Sequence, residues 1–442
     1  MATAATRPGP GVGGHPLLAA RWYAYYVLGL LTLCYVTNTV DRSQVLAASL
    51  QAIKREFQAS DFALGLLSGL PFAIFYAVLG IPIAALADRW SRRNVLAIAV
   101  ALWSAMTGLC GLAVNFAMLF AARIGTAVGE AGGTPPSHSL ISDYFPKASR
   151  GTALSIYALA VPVGTSIGAA LGGWGNQHLG WRLTFVLAGA PGLALAALAA
   201  LTVIEPPRGH ADGAAARRAA APGLWESFWY LVKRPSFRHL GLAAAIHSAV
   251  WYASGTYNNA FLQRSHHMLV SQAGYWVSLF AAVGGVGTFL GGLLADRLSV
   301  RARDRRWYMW VPGIATFVQV PFQCLTYLSP NLAVALPAFA MMTLLAAVFF
   351  GPYFSVAQAV APVRMRALAS SLALFIQTLI GQGIGPPLAG RLSDRLAPAF
   401  GAHALGWSLV LVGLLNIWAA AHYLLGARTL RADLELTESL AA

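Results

Sequence analysis

Runs of about 20 mainly apolar residues recur along almost the whole chain, and they decide what it can fold into. A helix of that length crosses the ~30 Å hydrocarbon core of a bilayer, and only helices or closed barrels satisfy their backbone there. The runs fall at roughly 22–49, 62–87, 94–113, 116–141, 150–174, 183–204, 237–262, 272–295, 308–327, 331–356, 367–390 and 405–426. They predict an all-α membrane protein of twelve transmembrane helices. Composition agrees: charged residues are 10% of 442 and hydrophobic residues 57%. A soluble domain carries about 25% charge, so too little is present here to coat a water-facing surface of this size.

The net charge of +15 is topological rather than a nucleic-acid footprint. Lys and Arg gather in alternate loops: Arg89, Arg92 and Arg93; Lys147 and Arg150; Arg208 to Arg238; Arg297 to Arg306; Arg364 and Arg366. Short loops with few cations lie between. The positive-inside rule makes the basic set, and both termini, cytoplasmic. No nucleic-acid partner is expected. Residues 1–21, rich in Gly, Pro and Ala, read as a disordered leader without signal-peptide features. Cys34, Cys110 and Cys324 fall within spans and read as small buried apolar residues, not as disulfides or metal ligands.

Residues 205–236 form the one long polar interruption, a linker ending in an amphipathic interfacial segment around Trp225 to Leu231. It separates an N-terminal bundle (22–204) from a C-terminal bundle (237–426), followed by a tail (427–442). The halves echo each other. Ala84-x-Leu86-Ala-Asp88-Arg89 matches Gly292-x-Leu294-Ala-Asp296-Arg297. Gly164-x-x-Ile167-Gly168-x-x-Leu171-x-Gly173 matches Gly381-x-x-Ile384-Gly385-x-x-Leu388-x-Gly390. The offsets nearly agree, so the repeats run in parallel, an organisation found in secondary transporters with the site between the halves.

"LADRWSRRN" (86–94) and its weaker echo "LADRLSVR" (294–301) resemble the loop signature of the major facilitator superfamily, with Ala84 and Ser91 where that signature usually has Gly. "VDRSQV", "GLLSGLPFAIFYAVLGIPIAALADRWSRRN", "ARIGTAVGEAGGTPPSHSLISDYFP" and "GWRLTFVLAGAPG" together resemble the Spinster branch, whose characterised members move lysolipids and sphingoid phosphates. The likeness is dense over 22–205 and thin afterwards. It implies a monomeric transporter of a lipid or other amphipathic anion, in a bacterial inner membrane. It also implies that the first, fourth, seventh and tenth helices line a central cavity.

Three stretches carry candidate chemistry. Asp41 and Arg42 interrupt the first span, roughly 7 Å outward of its centre. Arg123 and Glu130 share a face of the fourth, two turns and roughly 10 Å apart. A charge at mid-membrane costs about 2.5–3.5 kcal/mol by insertion scales, so each needs a cavity or a partner. The functional reading makes Asp41, Arg42 and Glu130 the proton-coupling set, with Arg42, Arg123 and Glu130 also meeting substrate. The alternative has Asp41 and Arg42 snorkelling to headgroups. In the seventh span His247, Trp251, Ser254 and Asn258 form one stripe. With Tyr353 in the tenth, His247, Trp251 and Asn258 complete the expected substrate-binding set, against the alternative that they pack between helices.

Asp88, Arg89, Arg92 and Arg93, with Asp143 as a partner acid, read as a cytoplasmic gate. Walker, GxSxG and HExxH motifs are missing, so neither enzyme chemistry, a cofactor nor a metal is expected. The resulting expectation is proton-coupled alternating access. Its rivals are the same fold carrying a small organic anion or drug, and a membrane receptor or enzyme that does not transport.

Overall fold

A computed structural model describes residues 16–208, 210–211, 224–362 and 365–439. For a few residues inside helices, Asp88 among them, only the backbone is described. Residues 1–15 of the leader, Arg217 and Arg218 of the linker, and Arg364 lie outside the described residues. Among those described, every regular element is a helix. Helix α1 runs Arg21–Thr39, passes through a π turn at Val40–Gln44 and continues as Val45–Phe57. Helix α2 repeats that plan: Asp61–Pro71, a π turn at Phe72–Tyr76, then Ala77–Arg89. Next come α3 (Arg92–Gly111) and α4, split by a turn into Phe116–Glu130 and Thr134–Tyr144.

Helices α5 and α6 form one nearly unbroken helical stretch from Lys147 to Thr202, divided at Gly180. There φ is +78°, a backbone conformation that glycine takes without steric cost. Arg182 fastens the reversal by donating to the carbonyls of Gly111 (3.1 Å) and Ala113 (2.6 Å) at the end of α3. Past the linker come α7 (Pro235–Ser265), α8 (Val270–Ala302) and α9 (Trp307–Leu328). Helix α10 is Leu332–Ala347 with Phe350–Ala359. Helix α11 is Arg366–Ile376, a π turn at Gln377–Gln382 and Gly383–Phe400. Helix α12 is Ala404–Gly413 with Leu415–Ser439. It runs to Ser439, so most of the expected tail is helix, tied down where Asp433 accepts from the backbone N–H (2.9 Å) and hydroxyl (2.5 Å) of Ser236.

By length and composition, 6 described segments are apolar enough to cross a membrane. Two of them, Ser149–Thr202 and Leu368–Ser439, contain the glycine breaks at Gly180 and Gly401. Helices α1, α4, α7 and α9 are not among them; α4 is divided into Phe116–Glu130 and Thr134–Tyr144, each too short to count alone.

The duplicated glycine pattern has the same job in each half. A Cβ on Gly164 would sit 2.7 Å from Thr39, and one on Gly168 2.9 Å from Gln44, both in α1. A Cβ on Gly381 would sit 2.5 Å from Ser248, and one on Gly385 2.1 Å from the carbonyl of Ala249, both in α7. Small residues let backbones approach where lipid supplies no hydrophobic drive to pack. So α5 lies on α1 as α11 lies on α7.

The linker end of the N-terminal half is closed by one buried arginine. Arg92 donates Nε to Glu205 (2.7 Å), Nη2 to the carbonyl of Pro206 (2.7 Å) and Nη1 to Asp143. Burial works to raise Glu205, but the backbone N–H of Arg93 and the Arg92 guanidinium hold it below its ordinary value. In the other half Arg306, with Arg431, holds Asp304 down at about 2. The linker helix Leu224–Val232 buries Leu231 and leaves Trp225 and Trp229 exposed.

Removing one partner of a buried ion pair costs about 3–5 kcal/mol, so Arg92→Met is expected to lower the thermal midpoint of the purified protein sharply. Because Glu205 is depressed, its contribution is present above the ordinary carboxylate range and lost as pH falls through its folded value. Glu205→Gln should therefore unfold below wild type at pH 7, and the two melting curves should converge on acidification. Equal midpoints at pH 7 would contradict the assignment.

Candidate functional site

The site is built on a defect in α1. A π turn loosens the regular i to i−4 hydrogen-bond ladder and often marks functional positions. In hydrocarbon any carbonyl it turns outward needs a donor. Arg123, fully buried on α4, supplies it: Nη1 donates to the carbonyl of Asp41 (3.3 Å) and Nη2 to that of Arg42 (2.5 Å). Arg42, half-buried, turns the other way. Its Nη2 donates to Gln382 Oε1 (2.6 Å) in the π turn of α11, while Gln382 Nε2 donates to the carbonyl of Ser68 in α2 (3.3 Å). The guanidinium also lies 5.1 Å from the ring centre of Tyr76, in the π turn of α2, within cation–π range. Three π turns thus meet where the halves touch.

Asp41 and Glu130 are 0% and 1% exposed; the Asp41 carboxylate has no hydrogen-bond partner among the described residues, and Glu130 has the Asn38 side chain beside it. Both interact electrostatically with Arg123, and Glu130 also with Arg42. Arg123 donates to two carbonyls and Arg42 to an amide, and among the described residues neither forms the expected ion pair with Asp41.

The C-terminal half corrects several expectations. His247 is buried with both ring nitrogens engaged, by Asn416 of α12 (3.1 Å) and the carbonyl of Ala346 in α10 (2.9 Å). Asn258 accepts from the Tyr327 hydroxyl (2.7 Å), and Tyr353 donates to the carbonyl of Ala373 (2.7 Å). All three bond within their own half instead of facing the other. A buried polar group must find a partner, and theirs lie on helices that the stripe pattern cannot reveal. Trp251 stays partly exposed, edge-on to Phe350 at 5.8 Å, and neighbouring Tyr252 interacts electrostatically with Arg42.

Of the expected gate, Arg92 pairs with Asp143 as anticipated, but inside the N-terminal half. Arg93 donates Nε to Asn94 (2.9 Å) and its backbone N–H to Glu205 (2.9 Å), and Arg89 is exposed. The Asp88 side chain lies outside what is described. The ion pairs described at this end, including Asp304 with Arg306 and Arg431, each stay within one half.

The cross-half lock is at the opposite end, among residues that the sequence reading passed over. Asp61, at the start of α2, accepts from Lys54 of α1 (2.6 Å), from both Nη atoms of Arg264 in α7 (2.6 and 2.7 Å) and from Ser393 of α11 (2.7 Å). Asp394 of α11 caps α2 by accepting from the backbone N–H of Asp61 (2.9 Å) and Phe62 (2.8 Å). Glycines permit the approach: a Cβ on Gly65 would lie 2.4 Å from the Pro386 carbonyl, and one on Gly390 2.2 Å from that of Asp61. One signal was available. Leu392-Ser-Asp394-Arg395 is a third variant of the Leu-Ala-Asp-Arg motif, but the predicted span stopped at 390.

Buried charge at the junction of two parallel halves, with a cross-half ion pair at one end, defines a multi-pass membrane transporter rather than an enzyme. The chain belongs to the major facilitator superfamily, whose family model matches residues 31–386. It is 33% identical over 419 residues to an MFS-type efflux pump of Mycolicibacterium smegmatis, covering 93% of this chain and 94% of that one. It is 26% identical to a sphingosine-1-phosphate transporter of Danio rerio, covering 91% and 82%. Among solved structures it superposes, with TM-score 0.85 and 33% identity over 95% of this chain and 99% of the other, on a bacterial homolog of the human lysosomal transporter Spinster, inward-facing and unoccupied.

The lock gives a direct test. Asp61→Asn removes the charge on which α1, α7 and α11 converge and should open this end. Spin labels at Arg55 and His267, on a background lacking the three native cysteines, should then report a longer and broader distance than the parent. Gly390→Ala, which forces its Cβ against the Asp61 carbonyl, should do the same. Unchanged distances in both variants would show that the end is held by other contacts.

Proposed function

We propose that the protein is a proton-coupled transporter of an amphipathic anion, working by alternating access between its halves. Each of the rods α1 to α12 then crosses the bilayer, the linker end is cytoplasmic, and the conformation described is inward-open. The basic loops at the linker end support that orientation, as does the lock at the opposite end. A bacterial inner membrane suits this arrangement.

One observation carries the reading: two arginines and two buried carboxylates, Asp41, Arg42, Arg123 and Glu130, share the junction of the halves. An ionised carboxylate buried without a donor is costly, and a bound proton removes that cost. With both carboxylates ionised the group is formally neutral. Protonating one leaves net positive charge, which favours an anionic headgroup at half-buried Arg42. Proton occupancy and anion binding are linked through that balance. The partly exposed Trp251, Tyr252 and Phe350 offer an aromatic wall for a hydrocarbon tail. The likeness to Spinster-type proteins and to an efflux pump supports a lipid-like cargo.

The test is proton-driven uptake and counterflow of a labelled lysophospholipid in vesicles, normalised to inserted protein. Asp41→Asn and Glu130→Gln should abolish gradient-driven accumulation while downhill exchange persists. Arg42→Ala should weaken both by about ten- to a hundredfold, the worth of a charge-assisted bond of about 1.5–3 kcal/mol. Arg42→Lys should fail to restore them, because an ammonium lacks the bidentate fork. Accumulation by both carboxylate variants would refute proton coupling at this site. Counterflow of a small organic anion, unaffected by lysolipid, would keep the fold and change the cargo.

A further inference from the structure

A groove lies between α1 and α6 on the surface of the N-terminal half. At the linker end the two helices are tied together: the Tyr26 hydroxyl meets Thr202 Oγ1 (2.6 Å), and the Tyr23 hydroxyl donates to the Thr202 carbonyl. Deeper in, both helical ladders are disturbed. Pro191 lacks the N–H that would close one rung of α6, and Thr32 and Thr37 donate back to the carbonyls of Leu28 (2.7 Å) and Cys34 (2.9 Å) in α1. Proline kinks a helix, and hydroxyls that bond back in this way bend one. Here there is a cavity of ≈ 510 Å³, lined by Leu33, Val36 and Thr37 of α1 and by Pro191, Ala194, Leu195 and Leu198 of α6. Leu33 is 54% and Leu198 41% exposed, so the groove opens to the surroundings and not into the core.

The chemistry changes along its length. The cavity walls are apolar, and their one hydroxyl, that of Thr37, already donates within α1. On α1 the stripe Trp22, Tyr26, Gly29 and Leu33, at helical spacing, carries the groove toward the linker end. Gly29 keeps the stripe low, since even a Cβ there would meet nothing within 4 Å. At that end stand two cations. Arg21 is exposed beside Trp22, and Arg93 of α3 donates Nη1 to the carbonyl of Val203, where α6 ends (3.4 Å). Glu205, which accepts from the Arg93 backbone, is already paired with Arg92 (2.7 Å). From Tyr26 to Thr37 the helix rises about 16 Å at 1.5 Å per residue, close to half of the ~30 Å hydrocarbon core. An apolar channel that starts beneath two cations and ends near the bilayer centre matches one acyl chain of one leaflet. A second copy of the protein, sharing its orientation in the membrane, would instead set like charges against each other at the same depth.

We propose that this groove binds an anionic diacyl phospholipid from the leaflet at the linker end, with one chain between α1 and α6 and the phosphate at Arg21 and Arg93. The lipid is a resident of the fold and not its cargo, because none of Asp41, Arg42, Arg123 and Glu130 lines the groove. The deep end of the groove reaches Thr37, three residues before the π turn of α1. The end of the chain therefore packs against the segment that presents Asp41 and Arg42. Attraction to negative headgroups is worth roughly fivefold for each cation near the surface, which sets the preference for an anionic lipid over a zwitterionic one. The inference needs neither proton coupling nor a particular cargo.

Native mass spectrometry of the full chain, extracted from vesicles of equal parts phosphatidylglycerol and phosphatidylcholine, reads the bound lipid by its mass. One phosphatidylglycerol per chain should survive extraction in preference to phosphatidylcholine. Arg21→Gln combined with Arg93→Gln should weaken that retention about twenty-fivefold, the worth of two cations. Ala194→Phe, at an exposed position of the groove wall, puts a ring where the chain lies, keeps both arginines and should also displace the lipid. Arg42→Ala, at the junction, should retain it as the parent does. Added phosphatidylglycerol should raise the thermal midpoint of the parent and of Arg42→Ala, and should leave that of the two groove variants unmoved. Equal retention of both lipids, or of neither, would mean unselective boundary lipid and refute the site. Loss of the lipid on Arg42→Ala would place it at the junction, and retention undisturbed by Ala194→Phe would remove the chain from the groove; either result overturns the proposal.

Discussion

The contact on which the rest depends is Arg123 donating to the two carbonyls of the α1 π turn. A guanidinium in hydrocarbon needs acceptors, and a widened helical turn in hydrocarbon needs donors. Each answers the other's cost. Arg123 is thereby held on backbone carbonyls, with Asp41 and Glu130 buried beside it. Arg42, the next residue along, is turned toward the other half, where Gln382 receives it.

The same economy recurs wherever the halves meet. Helices α1, α2 and α11 all carry π turns at the junction, so Arg42, Tyr76 and Gln382 meet from three loosened segments instead of three rigid rods. Beyond them, glycines bring α2 and α11 into backbone contact, and Asp61 gathers cations from α1 and α7. Charged contacts of this kind are directional and can be exchanged, whereas the glycine seams within each half are permanent packing.

Much of this architecture is legible from local pattern. Apolar runs marked the helices to within a few residues, except where α1, α8, α11 and α12 run on past the apolar stretch as amphipathic or polar turns. The paired glycine motifs announced the duplication, and the structure places them at equivalent crossings. In the site, Asp41, Arg42, Arg123 and Glu130 stood out because charge inside a span is expensive. Asp61, Arg264 and Asp394 did not, since charge at a helix end needs no explanation. His247, Asn258 and Tyr353 looked like a lining stripe because helical period shows which residues share a face, not what that face meets.

The sequence by itself determined the solvent this chain folds in, its two-fold internal plan, and which buried charges demand partners, because each follows from composition and spacing within about 20 residues. Only the tertiary structure decided who those partners are. Arg42 meets Gln382 across 340 residues of chain, Arg92 turns to Glu205 and Asp143 within its own half, and Asp61 pairs with Arg264 of the other half. Such pairings depend on where helices cross and how closely glycine lets them approach, and no local pattern of residues encodes that geometry.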